Sequence, residues 1–427
     1  MEAVIQPAER IRGTIRVPGD KSISHRAVIL GAVSEGETEI KGFLRADDCL
    51  STIRLFHQMG VRIEGEGTDL TVHGVGLRGL QEPAEVLDVG NSGTTIRLVA
   101  GLLSGQSFFS VLTGDASIRR RPMGRITQPL QIMGARVFGR QGGTLAPLAI
   151  AGGSLRAAEH VLPVASAQVK SALLLAGLLA AGETSVEEPA LSRDHTERLL
   201  AYLGGRLRRE GNRVFIAGGQ RLWARPLWIP GDISSAAFFL VAAALVPGSD
   251  LVVENLGLNP TRSGILEVLA AMGADLEVRG EELVSGEPVG TIRIRHSRLR
   301  GIRIGGSLIP RLIDELPVLA VAAALAQGET IIEDAQELRV KESDRISAIA
   351  QGLTALGAKV SPKEDGLIIQ GVEHLRGARV EAFGDHRIAM ALAVAGLAAQ
   401  EETILQGAEA VSISYPDFFP TLSRVAQ

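Results

Sequence analysis

Residues 17–38 read "VPGDKSISHRAVILGAVSEGET": a Gly-Asp-Lys-Ser turn, an apolar run and a closing Gly-Glu-Thr. The same order returns at 164–184, "VASAQVKSALLLAGLLAAGET", and at 308–330, "LIPRLIDELPVLAVAAALAQGET". Looser copies stand at 89–106, "VGNSGTTIRLVAGLLSGQ", at 229–250, "IPGDISSAAFFLVAAALVPGSD", and at 383–403, "FGDHRIAMALAVAGLAAQEET". Six copies at intervals of roughly 70 to 80 residues constitute an internal repeat. A second pattern recurs between them: "IRLFHQMGVRIEGE", "LQIMGARVFGR", "LLAYLGGRLRRE", "VLAAMGADLEVRG" and "GLTALGAKVSPKEDG". Each reads as an amphipathic helix closed by glycine and followed by a strand with one wet face. The repeating unit is therefore β-α-β-α-β-β.

Six such units in 427 residues exceed what one core holds, since cores stop growing near about 250 to 300 residues. The expected class is α/β, with two domains of three units each. The first helix of a unit is apolar all round and belongs at the centre; the second is amphipathic and lies nearer solvent. Two Trp and two Pro interrupt the pattern in "RLWARPLWIPGD", ending at Asp232. Residues 20–230 are thus expected to form one domain, and residues 1–19 with 231–427 the other, its sheet completed by the N-terminal strand "EAVIQPAE".

Bulk properties exclude several classes. A net charge of -4 supplies no basic field for nucleic acid or a membrane surface. Cys49 is the only cysteine, which excludes an internal disulfide and a cysteine-built metal site. "SALLLAGLLAAG" is much shorter than the roughly 18 apolar residues of a spanning helix, and the N-terminus lacks a secretory apolar region. A cytoplasmic protein is expected.

The six helix starts carry unusual side chains: Lys21 and Ser22; Asn91, Ser92, Gly93 and Thr94; Ser166, Gln168 and Lys170; Asp232, Ser234 and Ser235; Asp314 and Glu315; Asp385, His386 and Arg387. Ser, Thr, Asp and Asn there are ordinary N-caps. Capping does not explain the cations, because the positive end of a helix dipole disfavours Lys and Arg. Lys21, Arg26, Arg97 and Arg387 make sense if phosphates or carboxylates sit among them. "GDASIRRRPM" adds Arg119, Arg120 and Arg121, and "SRDHTER" adds Arg193. "ELRVKESDRI" sets Lys341, Glu342 and Arg345 at spacings that share a helical face or turn. A solvated charged helix would look the same, but cations flanking a carboxylate also suit an anion held beside a general acid or base.

Other motifs fail. "GVGLRG" at 74–79 has no helix after it, which removes a dinucleotide site. Asp20 stands where a P-loop needs glycine. Eight scattered histidines show no metal-ligand spacing, and Cys49 reads as structural.

Taken in order, "PGDKSISHRA", "GNSGTTIRL", "GDASIRRRPM", "SAQVKSALLLAGL", "SRDHTER", "PGDISSAAFFL", "LIDELP", "RVKESDR" and "GDHRIAMA" resemble the 5-enolpyruvylshikimate-3-phosphate synthase family from about residue 6 to residue 422. The "SAQ" triplet is similar to its class II bacterial forms. The resemblance implies an inside-out α/β barrel in each of two domains, with the ligands between them. It implies transfer of the enolpyruvyl group of phosphoenolpyruvate to the 5-hydroxyl of shikimate 3-phosphate, with release of phosphate, and no metal or other cofactor. By motif position, Lys21, Gly93, Arg121, Gln168, Arg345 and Arg387 would hold phosphoenolpyruvate. Lys21, Ser22, Arg26, Ser166, Gln168, Arg193, Asp314 and Lys341 would hold shikimate 3-phosphate. Asp314 would be the base for the 5-hydroxyl, while Glu342 and Lys21 would manage the proton at the enol carbon and the leaving phosphate. The family also implies a monomer, and inhibition by glyphosate at the phosphoenolpyruvate site.

Two departures stand out. Ala167 replaces a second serine common in the family, and "VSISYPDFF" lacks a lysine that some members carry before the last proline. Two rival readings are a UDP-N-acetylglucosamine enolpyruvyl transferase, which shares fold and donor, and a non-catalytic repeat scaffold that binds a phosphorylated metabolite. The Asp-Lys-Ser opening argues against the first, and turnover would decide against the second.

Overall fold

The computed structural model describes all residues, 1–427. The chain divides into two compact units: unit 1 comprises Met1–Pro18, Pro230–Leu283 and Pro288–Gln427, and unit 2 comprises Gly19–Ile229 and Val284–Glu287. Each has its own hydrophobic core.

Three central helices run through each unit. In unit 2 they are α1 (Lys21–Ala32), α2 (Gly93–Ser104) and α3 (Ala167–Leu179); in unit 1 they are α4 (Ile233–Leu245), α5 (Leu316–Ala324) and α6 (His386–Leu397). All nine residues of α5 and all twelve of α6 are buried, which explains their Ala, Val and Leu composition. Small residues also set how closely the helices approach. A Cβ on Gly101 of α2 would lie 2.1 Å from the Ala172 carbonyl oxygen of α3, so only glycine fits that crossing.

The second helices are one-sided. Asp47–Gln58 buries Cys49, Thr52, Leu55 and Phe56 and leaves its other face wetter. Five of these helices end at Gly60, Gly134, Gly204, Gly273 and Gly357, all at positive φ between 83° and 94°. That is the left-handed residue that closes a helix and starts the next strand. The strands alternate as half-buried strands do: Leu145–Ala151 buries every second residue.

Sheets follow a common plan. In the second repeat, Leu87–Asp88 runs parallel to Phe109–Thr113, which pairs antiparallel with Leu145–Ala151, itself antiparallel to Arg136–Gly139. The first strand of two repeats comes from elsewhere in the chain. Leu227–Trp228 pairs in parallel with Glu35–Lys41 in unit 2, and Arg12–Ile15 pairs in parallel with Asp250–Gly257 in unit 1. Glu2–Ile5 adds to Thr403–Gln406. The chain therefore starts in unit 1, leaves after Pro18 and returns at Pro230. Val284–Glu287, a hairpin tip read from sequence as part of the C-terminal domain, groups with unit 2: Glu287 reaches His195 Nδ1 at 2.8 Å and Ser285 Oγ accepts from Trp228 N at 2.9 Å.

Two local readings change. The fifth repeat is not one continuous helix: a short helix, Ile309–Leu312, precedes α5, and Asp314 and Glu315 lie in the turn between. Lys341 and Glu342 also sit in a turn, after a 3-10 segment Gln336–Val340, because Asp344 caps a new helix that begins at Arg345.

Candidate active site

In unit 2, Asp20 caps α1 by accepting from Ile23 N at 2.8 Å. That places Lys21 on the first turn, where its Nζ meets Asp48 Oδ2 at 3.0 Å. One turn on, Arg26 donates to the Ser22 carbonyl at 2.9 Å, to Thr196 Oγ1 at 2.6 Å and to Ser171 Oγ at 2.9 Å. Burial lowers the Arg26 pKa to about 10; Glu197 and Asp20 oppose the shift and Arg193 adds to it. Arg193 is therefore within electrostatic reach of Arg26. At neutral pH Arg26 remains a cation with little water around it, which is where an anion is held strongly.

The start of α2 carries a second cluster. Ser92 caps it and Gly93 is its first residue. Arg97 Nη1 donates to Gln168 Oε1 at 2.6 Å, and Gln168 Nε2 donates to Thr94 Oγ1 at 3.1 Å. Arg121 Nη2 donates to Asn91 Oδ1 at 3.0 Å and Ser117 Oγ at 3.2 Å. Arg97 and Arg121 both crowd Gly93, whose absent Cβ would be 2.9 Å from an Nη1 of each. Ser166 caps α3 and takes Glu188 Oε1 on its own N–H at 3.0 Å. Ala167 begins α3 without a hydroxyl to offer. Lys170, on the first turn of α3, does not reach solvent. It is fully buried between Glu188 and Glu197, at 2.8 Å from each. Burial alone would lower its pKa, but the Glu197 and Glu188 carboxylates more than offset it and raise it.

Unit 1 brings together Asp314, Lys341, Glu342, Arg345 and Arg387. Arg345 is the hub: it meets Asp314 Oδ1 at 3.2 Å, Glu342 Oε2 at 2.6 Å and Asp385 Oδ2 at 2.8 Å. Its burial favours the neutral form, yet the three carboxylates more than offset this and its pKa is raised. Lys341 Nζ and Arg387 Nε each stand 3.8 Å from Asp314 Oδ1. Asp385 caps α6, accepting from Arg387 N at 2.9 Å. Two carboxylates, Asp314 and Glu342, thus flank one permanently charged guanidinium, with two further cations beside Asp314. Arg345 is only 1% exposed, so its charge already belongs to its own carboxylates, and an anionic ligand would compete with them.

Every site residue expected from sequence falls in one of these two groups. Sequence reasoning did not single out Asp48 or Glu188, which meet Lys21 and Lys170 from later in the same repeat, nor Thr196, Arg262 or Asp385's bond to Arg345, whose partners come from other repeats. No group of three or more His, Cys, Asp or Glu side chains is placed to hold a metal ion, and no helix is long and apolar enough to cross a membrane.

Three-repeat α/β units with cations at helix starts and two carboxylates around one arginine carry the side-chain types that suit small anionic molecules. The EPSP synthase (3-phosphoshikimate 1-carboxyvinyltransferase) family matches residues 5–422. A protein of Bacillus thuringiensis subsp. konkukian named 3-phosphoshikimate 1-carboxyvinyltransferase is 56% identical over 427 residues, covering 100% of both chains. One of that name from Bacillus cereus is likewise 56% identical with full coverage. An EPSP synthase structure from Acinetobacter baumannii superposes with a TM-score of 0.89 at 46% identity, covering 100% of this chain and 98% of that one. The chain belongs to the EPSP synthase family.

Proposed function

We infer that the protein transfers the enolpyruvyl group of phosphoenolpyruvate to the 5-hydroxyl of shikimate 3-phosphate and releases phosphate, a step of aromatic amino acid biosynthesis. Family membership and the names of its relatives support this reading over the UDP-N-acetylglucosamine alternative. We propose that both groups of side chains act on the same substrate pair. Ser22, Arg26, Ser166, Gln168 and Arg193, with Lys341 and Asp314, bind shikimate 3-phosphate. Lys21, Gly93, Arg121, Gln168, Arg345 and Arg387 bind phosphoenolpyruvate.

The reaction adds the hydroxyl oxygen to C2 of the donor while C3 gains a proton; expulsion of phosphate and loss of a C3 proton then restore the double bond. A base must take the hydroxyl proton, and Asp314 is 12% exposed and held by cations. An acid must serve C3, and Glu342 is the neighbouring carboxyl. Lys21 assists the leaving phosphate. Cations on both anionic substrates offset their charge as the atoms approach. The observation that supports the mechanistic reading is the Asp314–Arg345–Glu342 cluster, in which one guanidinium meets both carboxylates, at 3.2 and 2.6 Å. Purified protein mixed with both substrates should release phosphate continuously; binding of shikimate 3-phosphate without phosphate release would leave only the scaffold reading. We also propose that the protein works in the cytoplasm as a monomer, which light scattering in solution checks.

A further inference from the structure

Glu315 follows Asp314 directly, and the reaction assigned above does not use it. It is fully buried, at 0% exposure, where a carboxylate persists only with strong partners. Arg262, 3% exposed, directs Nη1 at both of its oxygens, at 2.9 and 2.8 Å. Ser234 Oγ donates to Oε1 as well. These partners come from widely separated stretches of unit 1, so the tertiary fold has assembled them around one acid.

Arg387 completes the arrangement. Its Nη1 stands 3.7 Å from Glu315 Oε1 and donates to the Asp314 carbonyl at 3.2 Å, while its Nε lies 3.8 Å from Asp314 Oδ1. A guanidinium is a planar fork of five donors. Seating one edge on residues 314 and 315 therefore fixes where the remaining donors aim. Arg262 matters because it neutralises Glu315. A bare carboxylate at that distance would draw Arg387 inward and consume its charge.

We propose that Glu315 and Arg262 are positioning residues, and that their buried ion pair orients Arg387 while leaving the Arg387 charge for an anionic group of the enolpyruvyl donor. This rests on the reading that Arg387 contacts phosphoenolpyruvate.

The test is the double variant Arg262→Met/Glu315→Met, since replacing both members of a buried pair by apolar side chains of similar size often preserves stability; Asp232, 3.8 Å from Arg262, keeps its bond from Ser234 N. Phosphate release is measured at varied phosphoenolpyruvate, with thermal unfolding and calorimetric binding of shikimate 3-phosphate alongside. KM for phosphoenolpyruvate should rise about tenfold, the scale of one misaligned charge-assisted hydrogen bond. Turnover should change less than about threefold, with affinity for shikimate 3-phosphate within about twofold. Arg262→Met alone, which frees Glu315 to pull on Arg387, should raise KM further. A folded double variant with unchanged KM overturns the proposal. If the double variant does not fold, Ser234→Ala decides: it removes one hold on Glu315 without stranding a charge. KM should then rise about two- to fivefold, and an unchanged value overturns the proposal. Arg387→Lys run in parallel separates the two ideas. If it leaves KM unchanged, the assignment of Arg387 has failed and the proposal with it; if it alone raises KM, only the positioning by Glu315 and Arg262 is refuted.

Discussion

Replacing Gly93 with alanine would put a methyl group where two arginines already crowd the start of α2. The backbone at Gly93 is ordinary helix, so alanine meets no conformational strain there. The added Cβ would lie 2.9 Å from Arg97 Nη1 and 2.9 Å from Arg121 Nη1, about 0.6 Å or more inside comfortable contact. Both atoms end flexible side chains, so the helix would stay and the guanidinium groups would move. Their aim is set by bonds such as Arg97 to Gln168 at 2.6 Å, and Arg121 to Asn91 at 3.0 Å and to Ser117 at 3.2 Å. Misaligning one charge-assisted hydrogen bond to phosphoenolpyruvate costs about 1.5 to 3 kcal/mol, or about 10- to 100-fold in KM. By family resemblance glyphosate occupies the same place, so the parent protein should be inhibited competitively with phosphoenolpyruvate and the variant should need about tenfold more inhibitor or beyond. Shikimate 3-phosphate should bind within about twofold of normal, because the Arg26 bonds to Ser22, Ser171 and Thr196 do not involve Gly93. The unfolding midpoint should not fall, since alanine is the better helix former. Phosphate-release kinetics at varied phosphoenolpyruvate and glyphosate, with calorimetry for shikimate 3-phosphate, measure all of this. A variant with parental KM and parental glyphosate sensitivity would refute the reasoning.

Asp314→Asn should keep its affinity for shikimate 3-phosphate while turnover drops about 100-fold or more; near-normal turnover would leave Asp314 only a partner of Arg345. Lys170→Met strands Glu188 and Glu197 in the core and should cost about 3 to 5 kcal/mol in urea unfolding; a loss under about 1 kcal/mol would contradict the buried pairing. Burial, with Lys21 and Arg26 adding repulsion, holds the His25 pKa well below 6.5. The unfolded chain therefore takes up that proton first, and stability falls as pH drops below about 6.5, by up to about 1.4 kcal/mol per unit from this group. Unfolding of the parent and of His25→Asn between pH 7 and 5 checks this: the variant should show the shallower slope, and equal slopes would remove His25 as the cause.

The sequence by itself determined the repeat and therefore the layers. All-round apolar runs can only be central helices, one-sided runs lie outside them, and a glycine after five of the outer helices supplies the left-handed turn into the next strand. Those signals are local, so they survive without knowledge of the partners. It also exposed the cations at helix starts, because Lys21 and Arg387 stand where a dipole alone would repel them. The local pattern did not reveal what those charges face. Lys170 occupies the same kind of helix start as Lys21, yet one is sealed between two glutamates and the other lies at a surface beside Asp48. Arg345 looked like a solvated helix charge and is instead enclosed by three carboxylates. Arg262 and Glu315 meet across 53 positions of sequence, and the Arg12–Ile15 and Leu227–Trp228 strands complete sheets whose other strands lie elsewhere in the chain. Tertiary structure decides such things because a charge leaves water only where another group compensates it, and compensation acts through distance in space rather than spacing along the chain.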